Sequence, residues 1–131
     1  MSTDEQAIAA VLKSYEMALN ASDTEQVMRL YAPDGVFMAQ HSPSGVGAAS
    51  VRAGYEAVFG AITLAIRFET AEIRQVAPEW AFARTNSAGT VTINATGMTE
   101  PEANQELFLF QKLGDGWKIA RYAFSTTNPP R

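Results

Sequence analysis

Few side chains in this sequence could do chemistry. His41 is the only histidine, and a ring titrating near pH 6.5 is a natural base at neutral pH. It follows Phe37 and Ala39 at intervals of two, so an extended chain would place all three on one face. The alternative is an exposed loop position beside Ser42 and Pro43. Glu106 precedes Phe108 and Phe110 at the same interval. A carboxyl among aromatic rings is held toward its neutral form by desolvation; the alternative is a strand start with the head in water. Arg84 follows Trp80 and Phe82 and could meet a carboxylate, that of Glu106 or of a ligand, unless that face lies outside. Tyr15 stands on an apolar helical stripe, where a hydroxyl needs a partner once buried. There is no cysteine, which excludes a thiol nucleophile, an iron–sulfur cluster and a cysteine zinc site. One histidine cannot build a histidine-rich metal site. Neither a metal nor a cofactor is expected.

The elements that must position these groups change period midway. Ser2 with Glu5 has capping-box spacing, and Ile8, Val11, Leu12, Tyr15, Ala18 and Leu19 form one helical face ending near Asn20. Ser22 with Glu25 opens a second, short helix that Pro33 should end, with Asp34-Gly35 as a turn. Residues 36–40 read as a strand and 41–47 as a loop. Val51, Tyr55, Val58, Phe59 and Ile62 mark a third helix. Then alternation takes over. Leu64, Ile66 and Phe68 alternate with polar or small neighbours, and a strand starting at Trp80 continues to Ile93. The polar stretch 94–104 reads as a mobile loop that carries Glu100 and Glu102. Residues 106–113 and 117–125 form a hairpin across Gly114-Asp115-Gly116. Helices followed by hairpin-linked strands imply an α+β fold, with helices covering one face of a mostly antiparallel sheet.

Length and charge bound the rest. With 131 residues the chain is one domain, 1–131. A net charge of −4 leaves no basic stripe for nucleic acid and no electrostatic hold on anionic lipid. No run of ~18 apolar residues spans a membrane, and the polar, acidic start lacks the features of a signal peptide. A cytoplasmic location is expected.

The order of elements, with LYAPDGVF after the short helix and the ending ELFLFQKLGDGWKIARYAFSTTN, resembles the nuclear transport factor 2-like (NTF2-like) superfamily, in its SnoaL-like and ketosteroid-isomerase-like branches. The resemblance implies a cone: three N-terminal helices on a strongly curved sheet around an apolar pocket. It implies that Tyr15 donates to a developing enolate oxygen, backed by Tyr31 and Tyr55, and that a protonated Glu106 completes the oxyanion hole, as in steroid isomerases generally. The family's catalytic base falls on Ala39, so the steroid isomerase route is not expected unchanged; His41 or a water would handle the proton. The expected pocket face is Tyr15, Phe37, Tyr55, Phe59, Trp80, Phe82, Arg84, Glu106, Phe108, Tyr122 and Phe124. The expected outer face is Leu107, Leu109, Trp117 and Ile119, too apolar for water and so a sheet-to-sheet homodimer contact. Two functions follow as expectations. One is a cofactor-independent isomerase, lyase or cyclase acting on a small apolar carbonyl compound. The other is a module that only binds a small apolar ligand or organic acid.

Overall fold

The computed structural model describes residues 1–114 and 116–130. Helix α1 (Thr3–Asn20) begins as its sequence signal demands. Ser2 Oγ accepts from the Glu5 amide and Glu5 Oε1 accepts from the Ser2 amide, so two amides that lack helical partners are satisfied. Its apolar stripe, including Ile8, Leu12, Tyr15 and Leu19, is buried. Helix α2 (Thr24–Leu30) is capped by Asp23, whose carboxylate accepts from the Gln26 amide. Ser22 is instead the left-handed hinge residue before it, with φ of 52°.

The chain passes from α2 straight into strand β1 (Tyr31–Met38). Pro33 therefore lies inside a strand rather than ending the helix. It is tolerated because the pairing of β1 shifts between Tyr31 and Val36, where a missing amide breaks no ladder. Gly35 is required there: a Cβ would sit 2.6 Å from the Tyr31 ring. A two-residue strand β2 (Gly45–Val46) and helix α3 (Ala48–Ala61) follow. Four long strands complete the chain: β3 (Ile62–Ala77), β4 (Trp80–Ile93), β5 (Thr99–Leu113) and β6 (Gly116–Thr126). One sheet runs in the order β2-β1-β6-β5-β4-β3. Every pairing is antiparallel except that of β1 with β6, and the three helices cover its inner face. The fold is α+β, as expected. No helix among the described residues is long and apolar enough to cross a membrane.

Strand β5 starts earlier than expected. Residues 99–104, read as loop, pair with β4 from Thr92 to Ser87. The stretch is polar on both faces, so alternation cannot reveal it. Pro101 is accepted because β6 pairs with β5 only from Asn104 onward, which leaves that side of the strand free. The turn centre at Asp115 lies outside the described residues.

Two local features shape the sheet. At Gly89 the backbone of β4 presses on β3, and a Cβ would lie 2.1 Å from the Ala65 carbonyl oxygen. In β6, Leu109 pairs with Arg121 but Phe110 pairs with Ile119, so Ala120 is an extra residue. This bulge reverses the parity of the strand. Trp117 and Ile119 consequently point inward, 4% and 0% exposed, and the expectation that they form the outer face is corrected. Trp117 Nε1 donates to Asp4 at the start of α1, 2.9 Å away.

Among the described residues the outer edge of β3 has no strand partner. Helix α1 supplies one from its side chains. Asn20 accepts from the Ile66 amide at 2.9 Å and donates to the Ile66 carbonyl at 2.8 Å, while Glu16 accepts from the Phe68 amide at 2.7 Å. Asn20→Ala would strand both backbone groups of Ile66 in a half-buried site. A loss of about 1–3 kcal/mol in unfolding free energy is expected by urea titration. A change under about 0.5 kcal/mol would show that water replaces the amide without cost.

Candidate functional site

All four tyrosines of the chain meet under the helices. Tyr15 comes from α1, Tyr31 from the start of β1, Tyr55 from α3 and Tyr122 from β6, each at most 5% exposed. The Tyr55 hydroxyl stands 2.6 Å from that of Tyr15 and 2.7 Å from that of Tyr31. Burial pushes all four phenols above their ordinary range, so all are neutral donors at physiological pH. Either oxygen can donate in both contacts, and one order leaves no buried proton without an acceptor. Tyr31 has no other hydrogen-bond partner among the described residues, and a buried O–H without an acceptor costs about 1–3 kcal/mol. Tyr31 therefore donates to Tyr55 and Tyr55 to Tyr15. In that order the proton of Tyr15 points onward, to the hydroxyl of Tyr122 and the cavity that both residues line.

That cavity has a volume of about 60 Å³. Aliphatic side chains of α1, α3 and β3 and the rings of Phe37, Phe68 and Phe124 make its walls. Its polar groups are the hydroxyls of Tyr15, Tyr55 and Tyr122 together with Ser87, Glu102, Asn104 and Glu106. Glu106 is 5% exposed. Thr85 Oγ1 donates to one of its oxygens at 2.6 Å and Ser87 Oγ to the other at 2.5 Å. Desolvation raises its pKa, the two hydroxyls oppose this, the charge of Glu102 adds to it, and the net direction is up. Hydroxyls can rotate, so Thr85 and Ser87 can serve either the ionised or the neutral carboxyl.

The expected pocket residues divide. Tyr15, Phe37, Tyr55, Glu106, Tyr122 and Phe124 line the cavity. Phe108 lies beneath it, fully buried and stacked on Tyr122 with ring centres 4.4 Å apart. Phe59 packs behind Tyr55, 6.0 Å between centres. Trp80, Phe82 and Arg84 are on the other side of the sheet, and their placement in the pocket is corrected. In the β4–β5 register Thr85 faces Glu106 and Ala83 faces Phe108, so the alternate residues Arg84 and Phe82 pair with Leu107 and Leu109 on the convex face. The helices leave room there for small side chains only: Ala81, Ala83, Thr85 and Ser87 point inward, each at most 4% exposed. Arg84 is held by Glu72 at 2.6 Å.

His41 is likewise corrected. Strand β1 ends at Met38, and the chain turns, with the Ser42 amide donating to the Ala39 carbonyl at 3.2 Å. Alternation stops before His41, which is exposed with φ of 63° and does not line the cavity. The cavity residues that sequence reading missed are Ser87, Glu102 and Asn104. Glu102, read as a solvated loop charge, shares the inner face of β5 with Asn104 and Glu106. The run of small residues at 81, 83, 85 and 87 was the available signal for the buried face of β4. Among the described residues no group of three or more histidine and acidic side chains is placed to hold a metal ion.

Comparison with known proteins places this geometry. A family model described as a SnoaL-like domain matches residues 11–122, and the chain belongs to that family. A ketosteroid isomerase-like protein from Erwinia carotovora atroseptica is 35% identical, with 98% of this chain and 100% of that one covered and a TM-score of 0.94. An NTF2-like superfamily protein from Salmonella enterica serovar Typhimurium is 18% identical, covering 98% and 94%, with a TM-score of 0.84. A protein with a cystatin-like fold from Caulobacter vibrioides is 18% identical, covering 98% and 92%, with a TM-score of 0.80. The last two show the fold alone. No match was found among curated proteins.

The state of Glu106 has a thermodynamic signature. Its folded pKa is raised above the unfolded value of ~4.3. Its contribution to stability is therefore fully present below the unfolded pKa and is lost as pH rises through the folded one. The uncharged variant Glu106→Gln should not show this loss. Its stability relative to wild type should climb with pH above about 4 and level off once Glu106 has ionised. Urea titrations at a series of pH values read the difference; parallel curves from pH 4 to 8 would mean an unperturbed carboxyl.

Proposed function

We propose, from membership of the SnoaL-like family as the premise, that this chain binds a compact apolar carbonyl compound and polarises its oxygen with Tyr15. One observation carries the reading: Tyr15, a member of a row of buried hydroxyls, and the buried carboxyl Glu106 line the same small cavity. A carbonyl oxygen entering there would accept from Tyr15. A neutral Glu106 offers a second donor. As negative charge develops on that oxygen, both hydrogen bonds strengthen, which is how an enolate is stabilised. The reaction class that fits is a cofactor-independent isomerisation, elimination or cyclisation. Loss of one such donor typically costs ~10²–10³ in rate.

Size limits the guest. Ligand pockets usually run to about 300–1,000 Å³, and one water occupies about 30 Å³. A cavity of about 60 Å³ takes a polar head. The body of the ligand must displace wall side chains such as Phe68 or Phe124 or extend out of the mouth. A second reading, binding without turnover, is favoured by Ala39 and the exposed His41. Neither presents a base to the cavity, and the proton would have to leave on water.

Phenols mimic an enolate, with charge on oxygen and a flat apolar body. In calorimetric titration, affinity should rise with the acidity of the phenol. Tyr15→Phe should weaken binding by about tenfold or more, the worth of a hydrogen bond to a charged oxygen. Glu106→Ala should also weaken it, and the two losses should not add because both donors serve one atom. Equal binding by wild type and Tyr15→Phe would leave a plain apolar binder.

Homodimerisation belongs to the same proposal, on a redrawn face. Val76, Trp80, Phe82, Leu107 and Leu109 line an apolar groove on the convex side of the sheet, with Trp80 40% and Leu107 43% exposed. Light scattering at micromolar concentration should give twice the chain mass, and Leu107→Asp should halve it. A monomeric wild type would refute the pairing.

A further inference from the structure

We infer that the guest of this cavity carries an amino group as well as its carbonyl, with the ammonium held by Glu102. The inference rests on the reading just proposed and adds the chemical class of the other end of the ligand.

The inner face of β5 is graded. Glu106 and Asn104 are 5% and 7% exposed, while Glu102, further along the same face, is only half-buried. Glu102 thus stands at the solvent end of the cavity and Glu106 at its closed end. The Glu102 carboxylate takes one hydrogen bond, from Asn104 Nδ2 at 3.3 Å, and enters no ion pair among the described residues. No described side chain that lines the cavity carries a positive charge.

These facts select by sign. A ligand bearing a carboxylate would set an anion beside Glu102 and near Glu106 in a site walled by hydrocarbon, where like charges interact strongly. An ammonium in the same place neutralises Glu102 and relieves its repulsion on Glu106. The rings of Tyr122 and Phe124 line the wall on β6, beside β5, and supply apolar contact for the body of the guest. Distance along the strand separates the two ends of the guest: residues 102 and 106 are four apart, roughly 13 Å at ~3.3 Å per residue. The oxygen at the closed end and the cation at the open end therefore belong to different parts of one molecule.

The test uses three phenols that share a ring and a methylene: 4-(aminomethyl)phenol, 4-(hydroxymethyl)phenol and 4-hydroxyphenylacetate. Calorimetric titration of the wild type at pH 7 should rank them in that order. The ammonium compound should bind about fivefold tighter than the neutral one, the upper scale of a partly exposed ion pair. Glu102→Gln should compress the whole span to under about twofold, and Glu102→Asp should keep the order. Equal affinities in the wild type, or the acid binding best, overturn the inference, and this needs no variant to fold. If the phenols bind with dependence on Tyr15 but without this order, the amino group is wrong and the carbonyl reading stands. If none of the three binds, the pocket reading fails and the inference falls with it.

Discussion

A phenol hydroxyl can be buried only where another polar atom stands within about 3 Å of it. Three in a row impose that condition on three separate parts of the chain at once. Tyr15 fixes α1, Tyr31 fixes the start of β1 and Tyr55 fixes α3, through contacts of 2.6 and 2.7 Å. Neither helix can slide by half a turn without stranding an O–H in hydrocarbon. The surrounding rings serve the same constraint. Phe37 stacks on Tyr55 with centres 4.2 Å apart, Phe108 meets Tyr15 edge-on at 5.4 Å, and Gly35 leaves the gap that the Tyr31 ring fills. The cavity beyond Tyr15 is what remains when polar groups rather than bulk decide where the helices sit.

The sheet has to match this placement, and it does so through irregularities. A regular β6 would turn Trp117 and Ile119 away from α1. The extra residue Ala120 turns them back, so that Trp117 reaches Asp4 while Tyr122 and Phe124 still face the cavity. Gly89 permits the close approach of β4 to β3, and the side chains of Glu16 and Asn20 close the edge of β3 against α1. One strand therefore serves both the structural end of the core and the candidate site, with a bulge between the two duties.

What the sequence shows and hides follows from these devices. The helices were legible because a capping box and a 3.6-residue stripe are local signals, as at Ser2, Glu5 and Ile8. The β5–β6 pairing was legible because two alternating runs flank a glycine-rich turn. The site was legible in part: Tyr15 and Glu106 were found together through a family likeness and not through spacing. The errors share one cause, since alternation assigns residues to two faces but does not say which face is covered. On β4 alternation separates the aromatic set from Ala81, Ala83, Thr85 and Ser87 without saying which is covered, and helices packed close to a sheet leave space for the small set. On β6 alternation was carried through a bulge that no local residue announces. His41 lies past the last ladder bond of β1, where alternation no longer assigns a face. The polar start of β5 shows no alternation, yet it holds Glu102 and Asn104.

Glu106 is the part of this core that packing alone does not explain. Apart from Asn104 and Glu102 on the same strand, the inner face of the sheet is a set of rings, aliphatic and small side chains, and a leucine or methionine would fill the place of Glu106 without desolvating a carboxyl. Two further inward positions, Thr85 and Ser87, are given over to hydroxyls that bond its two oxygens. Such a trio stabilises the fold less than an apolar trio would, because hydrogen bonds between buried polar groups largely offset their desolvation and add little beyond it. Its distinctive property is chemical. A carboxyl pushed up by burial and held by rotatable hydroxyls can change its protonation state with little movement of its neighbours, and it does so in the cavity that Tyr15 also lines. Groups arranged at a cost to stability beside a cavity are what a site for a polar guest requires. That cost is what marks the interior of the cone, rather than its surface, as the candidate site.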